Sequence, residues 1–329
     1  MDRERKVIII GMPSSFSFYK VVKERIEQLD YQVIDISFQD HDFKYKNIWD
    51  RLFNLYRKIF LKDRTYKNLL KFKANGNHVF RLLENIKGRT DYALIIRPDI
   101  FPEIILEKIL EKTNKMIGYQ WDGMKRYPAV DKTVKYFDKF YVFDEQDTYN
   151  FNRYLPLTNF YFSHLNQKDK AIKKNTFFFL GSFFVDRWDA INDTAKLILD
   201  CGGEPNFLLF GPPNVALQDS TTGIKFIETH IPYKEYIDMV LESEVLVDFL
   251  VDIHGGLSFR IFEAVGYEKK LITNNANVRN YDFYHPNNIF ILGQEKRTLK
   301  DFMQVKYHTL PEDIVKKYDF DNWLLKVLG

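Results

Sequence analysis

Short apolar runs alternate with amphipathic stretches along this chain, and the alternation predicts strands separated by helices. Val7–Ile10 reads as a buried strand, followed by a loop at Gly11–Ser17 and an amphipathic helix over Phe18–Leu29. Gln32–Ile36, Tyr92–Ile96, Met116–Gln120 and Phe140–Phe143 read as further strands, with a helix at Pro102–Lys112. The pattern restarts with strand Phe177–Leu180, helix Asp186–Asp200 and strands Asn206–Phe210 and Lys225–Glu228. Helix Tyr233–Leu241, strand Val245–Val251, a short helix and strand Leu271–Thr273 complete it, and Asp321–Leu328 reads as a helix that packs on the body. Strands alternating with helices imply α/β architecture and parallel sheets.

The restart suggests two halves. Residues 1–165 form an expected N-terminal lobe, the lysine-bearing stretch 166–175 a linker, 176–315 a C-terminal lobe and 316–329 a helical tail. Residues 44–90 exceed what a minimal lobe needs. They carry thirteen Lys and Arg against three acids, an excess of ten in a chain whose net charge is +3. Within them Trp49, Leu52, Phe53, Tyr56, Ile59 and Phe60 recur at helical spacing with cations beside them. Such a helix either packs its stripe on the lobe or lies on an anionic membrane. Nucleic acid is not expected as a partner, since no recognised nucleic-acid motif accompanies the charge.

A length of 329 residues suits two ordinary domains, and 45% hydrophobic with 28% charged residues is a globular composition. The single cysteine, Cys201, excludes an intramolecular disulfide framework and fits a reducing compartment. No secretory h-region and no bilayer-length apolar run is evident. The expected location is cytoplasmic, with peripheral attachment to the inner membrane face if residues 44–90 meet lipid.

Residues 244–275 carry the sharpest chemistry: a strand, the turn His254-Gly255-Gly256, a short helix and a second strand. Glycines let backbone N–H groups approach a ligand, and Ser258 is placed to cap the helix start. Arg260 and Glu263, three residues apart, share one helix face. A helix N-terminus beside an arginine suits a diphosphate, and a carboxylate one turn further in suits ribose hydroxyls.

The stretch from Gly255 to Gly266, followed by Lys269-Lys270-Leu271-Ile272-Thr273-Asn274-Asn275, resembles the donor-binding segment of GT-B glycosyltransferases. The branch it resembles is bacterial lipopolysaccharide and capsule biosynthesis, similar to CgeB-type proteins. Phe179-Leu180-Gly181-Ser182-Phe183-Phe184-Val185-Asp186-Arg187 resembles the first strand and loop of that family's C-terminal lobe. Tyr119-Gln120-Trp121-Asp122 with Tyr136–Asp144 resembles the last part of its N-terminal lobe. The resemblance implies two Rossmann-like lobes facing across a cleft. It implies transfer of a hexose-type sugar from a nucleotide-diphosphate sugar to a lipid-linked, lipopolysaccharide or capsule glycan.

On the donor side the implied contacts are Gly181, Ser182, Arg187, His254, Gly255, Gly256, Leu257, Ser258, Arg260, Glu263, Asn274 and Asn275. Many retaining members place a glutamate eight residues before the position of Glu263. Gly255 stands there, so the enzyme either inverts or retains by other contacts. In an inverting mechanism the base comes from the N-terminal lobe, where Asp122 is preferred and Asp99 second. Ser14, Ser15, Arg97 and Trp121 are the acceptor-side candidates. The first loop lacks GxGxxG, which disfavours dinucleotide binding. Asp40-His41-Asp42 and Asp319-Phe320-Asp321 have metal-like spacing but follow no suitable strand, so no metal and no cofactor is expected beyond the nucleotide sugar as co-substrate. Two alternatives remain open: a nucleotide-sugar epimerase of the same plan, and a non-catalytic nucleotide-sugar-binding subunit.

Overall fold

The structure is a computed structural model and describes residues 5–39, 43–63, 65–150, 152–167, 169–211, 222–250 and 255–329. The chain forms two compact units that divide between Leu157 and Thr158.

The first unit holds a six-stranded parallel sheet of order β2-β1-β3-β4-β5-β6. Its strands are β1 (Val7–Gly11), β2 (Gln32–Asp35), β3 (Thr90–Ile96), β4 (Thr113–Gln120), β5 (Lys139–Val142) and β6 (Tyr154–Pro156). Ile8, Ile9 and Ile10, and Ala93 through Ile96, are buried on both sheet faces, which is why these strands read as continuous apolar runs rather than alternating ones. Helices α1 (Phe18–Gln28) and α5 (Glu103–Lys112) connect strands, and α2 (Ile48–Phe60), α3 (Thr65–Asn75) and α4 (Asn77–Asn85) fill the basic segment. Phe72 of α3 and Val79 and Leu83 of α4 are core residues with Ile9, Ile95 and Phe101.

The helix expected to press its aromatic stripe on this unit does the reverse. Every large apolar side chain of α2 is exposed, Trp49 to 75% and Phe60 to 71%. Asp50, Asn54 and Arg57, at helical spacing on the opposite side, make the polar contacts inward, and Phe53 at the margin packs edge-on to Tyr66. Tyr66 donates to Asp50 at 2.8 Å, Asn54 donates to Tyr45 at 3.0 Å, and Arg57 pairs with Asp63.

The second unit holds a six-stranded parallel sheet of order β12-β11-β10-β7-β8-β9. Its strands are β7 (Lys173–Ser182), β8 (Glu204–Phe210), β9 (Ile224–Ile227), β10 (Ser243–Asp248), β11 (Lys270–Thr273) and β12 (Ile289–Ile291). Helices α6 (Trp188–Asp200), α7 (Tyr233–Glu242), α8 (Phe259–Gly266), α9 (Leu299–Gln304), α10 (Glu312–Lys317) and α11 (Phe320–Leu328) accompany them. Phe177, Phe178 and Phe179 are all buried, one reason β7 is a central strand.

The stretch 166–175 is not a free linker, because β7 already begins at Lys173. The division falls earlier because Phe160, Tyr161 and Phe162 pack within the second unit. Phe160 lies 4.6 Å from Trp323 of α11 between ring centroids, and Tyr267 donates to the Phe162 carbonyl at 2.9 Å. Asp319 precedes α11 and accepts from the Ser163 N–H at 2.9 Å, a structural use of that acid.

Candidate functional site

In the second unit, β7 leads through α6 to β8 on one side, while β10 leads through α8 to β11 on the other. The two connections diverge beyond the carboxyl ends of β7 and β10, the switch point where open α/β sheets take ligands. Gly181 and Ser182 end β7, Asp248 ends β10, and Gly255 to Arg260 form the turn and start of α8. Of the donor residues expected from sequence, Gly181, Ser182, Gly255, Gly256, Leu257, Ser258 and Arg260 therefore lie at or beyond the carboxyl ends of these two central strands.

Arg260 spans that switch point. Its guanidinium reaches Asp248 of β10 at 3.3 Å, donates to the Leu180 carbonyl of β7 and lies 4.7 Å over the Phe179 ring. Asp248 is buried and accepts from Ser258 at 2.6 Å and from Thr273 at 3.1 Å as well. Ser258 therefore occupies the N-cap position without capping, because its hydroxyl is given to Asp248. Among the described residues no side chain caps the start of α8, where the macrodipole and the first N–H groups favour an anion.

Glu263 is fully buried rather than facing a ribose site. Tyr233 donates to one of its carboxylate oxygens at 2.8 Å and Tyr236 donates to the other, so both oxygens are engaged. Burial lifts the Glu263 carboxyl above its ordinary value, against the opposing pull of the two tyrosine hydroxyls and Arg260. Burial likewise pushes both tyrosines well above theirs. This carboxylate ties α8 to α7, and the ribose role expected of it is not supported by its surroundings.

The asparagines also turn inward. Asn275 is buried and donates to the Gly256 carbonyl at 3.3 Å; Asn277 donates to the Gly255 carbonyl at 3.0 Å. Asn274 accepts from the Leu250 N–H at 2.6 Å, and buried Leu257 offers its carbonyl to Asn159 at 3.0 Å. Asn275 and Asn277 thus hold the two glycine carbonyls, while Asn274 holds the Leu250 N–H. Ser182 is exposed, and Arg187 donates to its carbonyl at 2.9 Å while stacking 4.7 Å over Phe184. His254 and the Asp40-His41-Asp42 stretch lie outside the described residues.

The first unit repeats the arrangement. β1 leads to β2 on one side and β3 lies on the other, so its switch point falls between the loop after β1 and the turn after β3. Ser14 and Ser15 are half-buried in that loop, followed by Phe16 and Ser17 with φ of 55° and 59°. Two successive non-glycine residues in the left-handed region mark a backbone held in a costly conformation. Arg97, φ 59°, follows β3 and binds both oxygens of Asp99 at 2.7 and 2.9 Å. It also meets Asp122 at 3.4 Å and lies 3.7 Å over Tyr127. Burial alone would lower the Arg97 pKa; the Asp99 carboxylate outweighs it and holds the guanidinium charged. Asp122 follows β4, stands 3.8 Å from Arg126 and is 24% exposed, against 5% for Asp99. Trp121 packs edge-on to Phe18 at 5.7 Å.

Sequence reasoning missed Asp248, Tyr233, Tyr236, Tyr127 and Gln120. Asp248 had a signal, an acid closing the apolar run Val245-Leu246-Val247. Gln120, last in β4, is fully buried with neither amide atom hydrogen-bonded. The tyrosines gave no signal, since their partner lies about one sheet connection away in sequence. Among the described residues, no group of three or more His, Cys, Asp or Glu is placed to hold a metal ion, and no helix is long and apolar enough to cross a membrane.

No protein-family model matches the chain, and no curated protein matches it either. Solved structures do. One is an alpha-glucosyltransferase in complex with UDP and a 13-mer DNA containing an HMU base, at TM-score 0.55 and 9% identity, covering 98% of each chain. Another is an alpha-glucosyltransferase in complex with UDP-glucose and DNA containing an abasic site, at TM-score 0.54 and 10% identity, covering 98% of this chain and 94% of that one. Both neighbours are solved in complex with DNA, so the exclusion of nucleic acid drawn from motif absence is overturned. The fold of this chain, two parallel six-stranded sheets in a mixed α/β arrangement, is that of GT-B glycosyltransferases.

Proposed function

We propose that this protein is a glycosyltransferase that moves a sugar from a nucleoside-diphosphate sugar to an acceptor hydroxyl. The observation that carries this reading is the uncapped start of α8 behind the Gly255-Gly256 turn, at the switch point that Arg260 spans. A diphosphate seated there meets backbone N–H groups, the positive end of the helix and a guanidinium already fixed by Asp248 and Leu180. Those groups stabilise the charge that builds on the leaving diphosphate, and the reading needs no metal for that purpose. Glu263 acts as a positioning residue that holds α8 through Tyr233 and Tyr236. In the first unit Asp122 is the proposed base, because it is the more accessible of the two candidate carboxylates and Asp99 is spent on Arg97.

The acceptor is proposed to be a lipid-linked, lipopolysaccharide or capsule glycan, as the CgeB-like motifs imply. DNA bearing a hydroxyl on a base is the second reading, favoured by the DNA in both structural neighbours. A thermal-shift panel of UDP, GDP, CMP and TDP tests the donor half. At ~100 times its dissociation constant the right nucleotide adds roughly 2.7 kcal/mol of stability. Transfer is then followed with labelled nucleotide sugar on a lipid-linked glycan and on DNA containing an HMU base. Asp122→Asn is expected to bind nucleotide normally and transfer nothing. No shift with any nucleotide refutes the donor site, epimer formation without acceptor selects the epimerase, and binding without release selects the non-catalytic subunit.

A further inference from the structure

We infer that α2 is an interfacial helix that docks the protein on an anionic lipid surface through its outward apolar face. The helix is amphipathic in the inverted sense: its polar side, Asp50, Asn54 and Arg57, is the side tethered to the unit. Its outer side presents Ile48, Trp49, Leu52, Ile59 and Phe60 to solvent, none less than 49% exposed, while Phe53 at the margin packs edge-on to Tyr66. A contiguous face of that kind marks a surface meant to be covered. Exposed cations border it at Lys44, Lys46, Arg51, Lys58 and Lys62.

Charge and side-chain chemistry select the occupant. A second copy of this chain, seated by a two-fold axis, would bring two segments with the same excess positive charge face to face. Nucleic acid would satisfy the cations and stack on the aromatic rings, but it offers no hydrocarbon to Ile48, Leu52 and Ile59. An anionic bilayer meets both needs: acyl chains take the aliphatic residues, Trp49 and Tyr56 sit at headgroup level, and the lysines meet lipid phosphates. The inference stands independently of the sugar-transfer reading, because it concerns a surface formed within the first unit alone.

The full chain is sedimented with phosphatidylcholine vesicles with and without phosphatidylglycerol, at low and high salt. It is expected to pellet with the anionic vesicles only, and to be released as salt rises. Trp49→Ser and Phe60→Ser, at exposed positions, are expected to weaken the partition about tenfold each with unchanged melting temperature. Arg51→Glu with Lys58→Glu is a second variant that leaves the apolar face intact and is expected to abolish the preference for anionic lipid. Failure to pellet, or pelleting that both sets of variants leave unchanged, overturns the inference. A vesicle-free dimer in sedimentation velocity that Trp49→Ser dissolves assigns the face to self-association instead. Retention of single-stranded or duplex DNA that the same substitution weakens, without vesicle binding, assigns it to nucleic acid.

Discussion

Asp248→Ala is the perturbation that most directly probes the proposed donor site. The carboxylate is buried and accepts from Ser258 at 2.6 Å, Thr273 at 3.1 Å and Arg260 at 3.3 Å. Its removal leaves a guanidinium that is only 14% exposed without its counter-charge, along with two hydroxyls lacking an acceptor. Breaking a buried pair from one side costs about 3–5 kcal/mol, far more than the net worth of the pair, because the remaining charge stays desolvated. For a unit of this size each kcal/mol moves the melting temperature by roughly 2–4 °C, so a fall of roughly 6–20 °C is expected. Urea denaturation should show a lower midpoint at unchanged slope. A double-mutant cycle with Arg260→Met isolates the pair: once Arg260 is gone, Asp248→Ala should cost less, with a coupling of about 1–3 kcal/mol. Asp248→Asn keeps the shape and one accepting oxygen but loses the charge, so it should weaken nucleotide binding more than it weakens folding. An Asp248→Ala loss below about 1 kcal/mol, or a cycle that adds without coupling, would refute the claim that this pair organises that site.

Burial holds the Glu263 carboxyl above its usual 4.5, so the stability it contributes is complete below that pH and is lost as pH rises through the lifted value. Glu263→Gln should therefore gain on wild type between pH 4.5 and neutrality in paired urea titrations, and a difference that stays constant with pH would count against it. Gly266→Ala improves helix propensity by about 1 kcal/mol, but its methyl would overlap the Tyr161 ring, so a net loss is expected. Tyr161→Leu should restore part of that loss in the double variant, and a stabilised single variant would show the contact to be loose. Gln120→Met removes a buried amide with no hydrogen-bond partner at similar volume and should raise stability by about 1–3 kcal/mol in calorimetry; a lowered midpoint would mean that the amide is satisfied.

The sheets were legible because their strands are buried on both faces and spell themselves as apolar runs, Ile8–Ile10 and Phe177–Phe179 above all. The passage from strand to helix at residues 243–266 was legible for a related reason, since an apolar run ending in glycines and a serine before an amphipathic stretch marks a strand, a loop and a helix start. The orientation of α2 was not legible. Periodicity reveals that a helix has two faces, and only the partners Tyr45, Asp63 and Tyr66 decide that the polar one turns inward. The fate of Glu263 was hidden likewise, since a carboxylate on a helix face reads the same whether it meets a ribose or two tyrosines donated by α7.

The two switch points share a device that redistributes the roles within each. Arg97 and Arg260 both stand at the end of a parallel sheet, both are bound to an aspartate, and both lie against an aromatic ring. A guanidinium held in this way is a fixed charge that needs no reorganisation when a ligand arrives. The pair differ in what remains open. Arg260 has one carboxylate contact and a carbonyl, beside a helix start that no side chain caps among the described residues, the place proposed above for the diphosphate. Arg97 is enclosed by bidentate Asp99 on one side and Tyr127 on the other, and only its third contact, Asp122, extends toward solvent. Arg97 is therefore better placed to orient Asp122 than to touch an acceptor, which narrows the chemistry proposed for the first unit to that single carboxylate. If so, Arg97→Lys, which cannot keep the bidentate pair and the third contact together, should lower turnover while donor affinity in the other unit holds; a selective loss of donor binding would reverse the assignment.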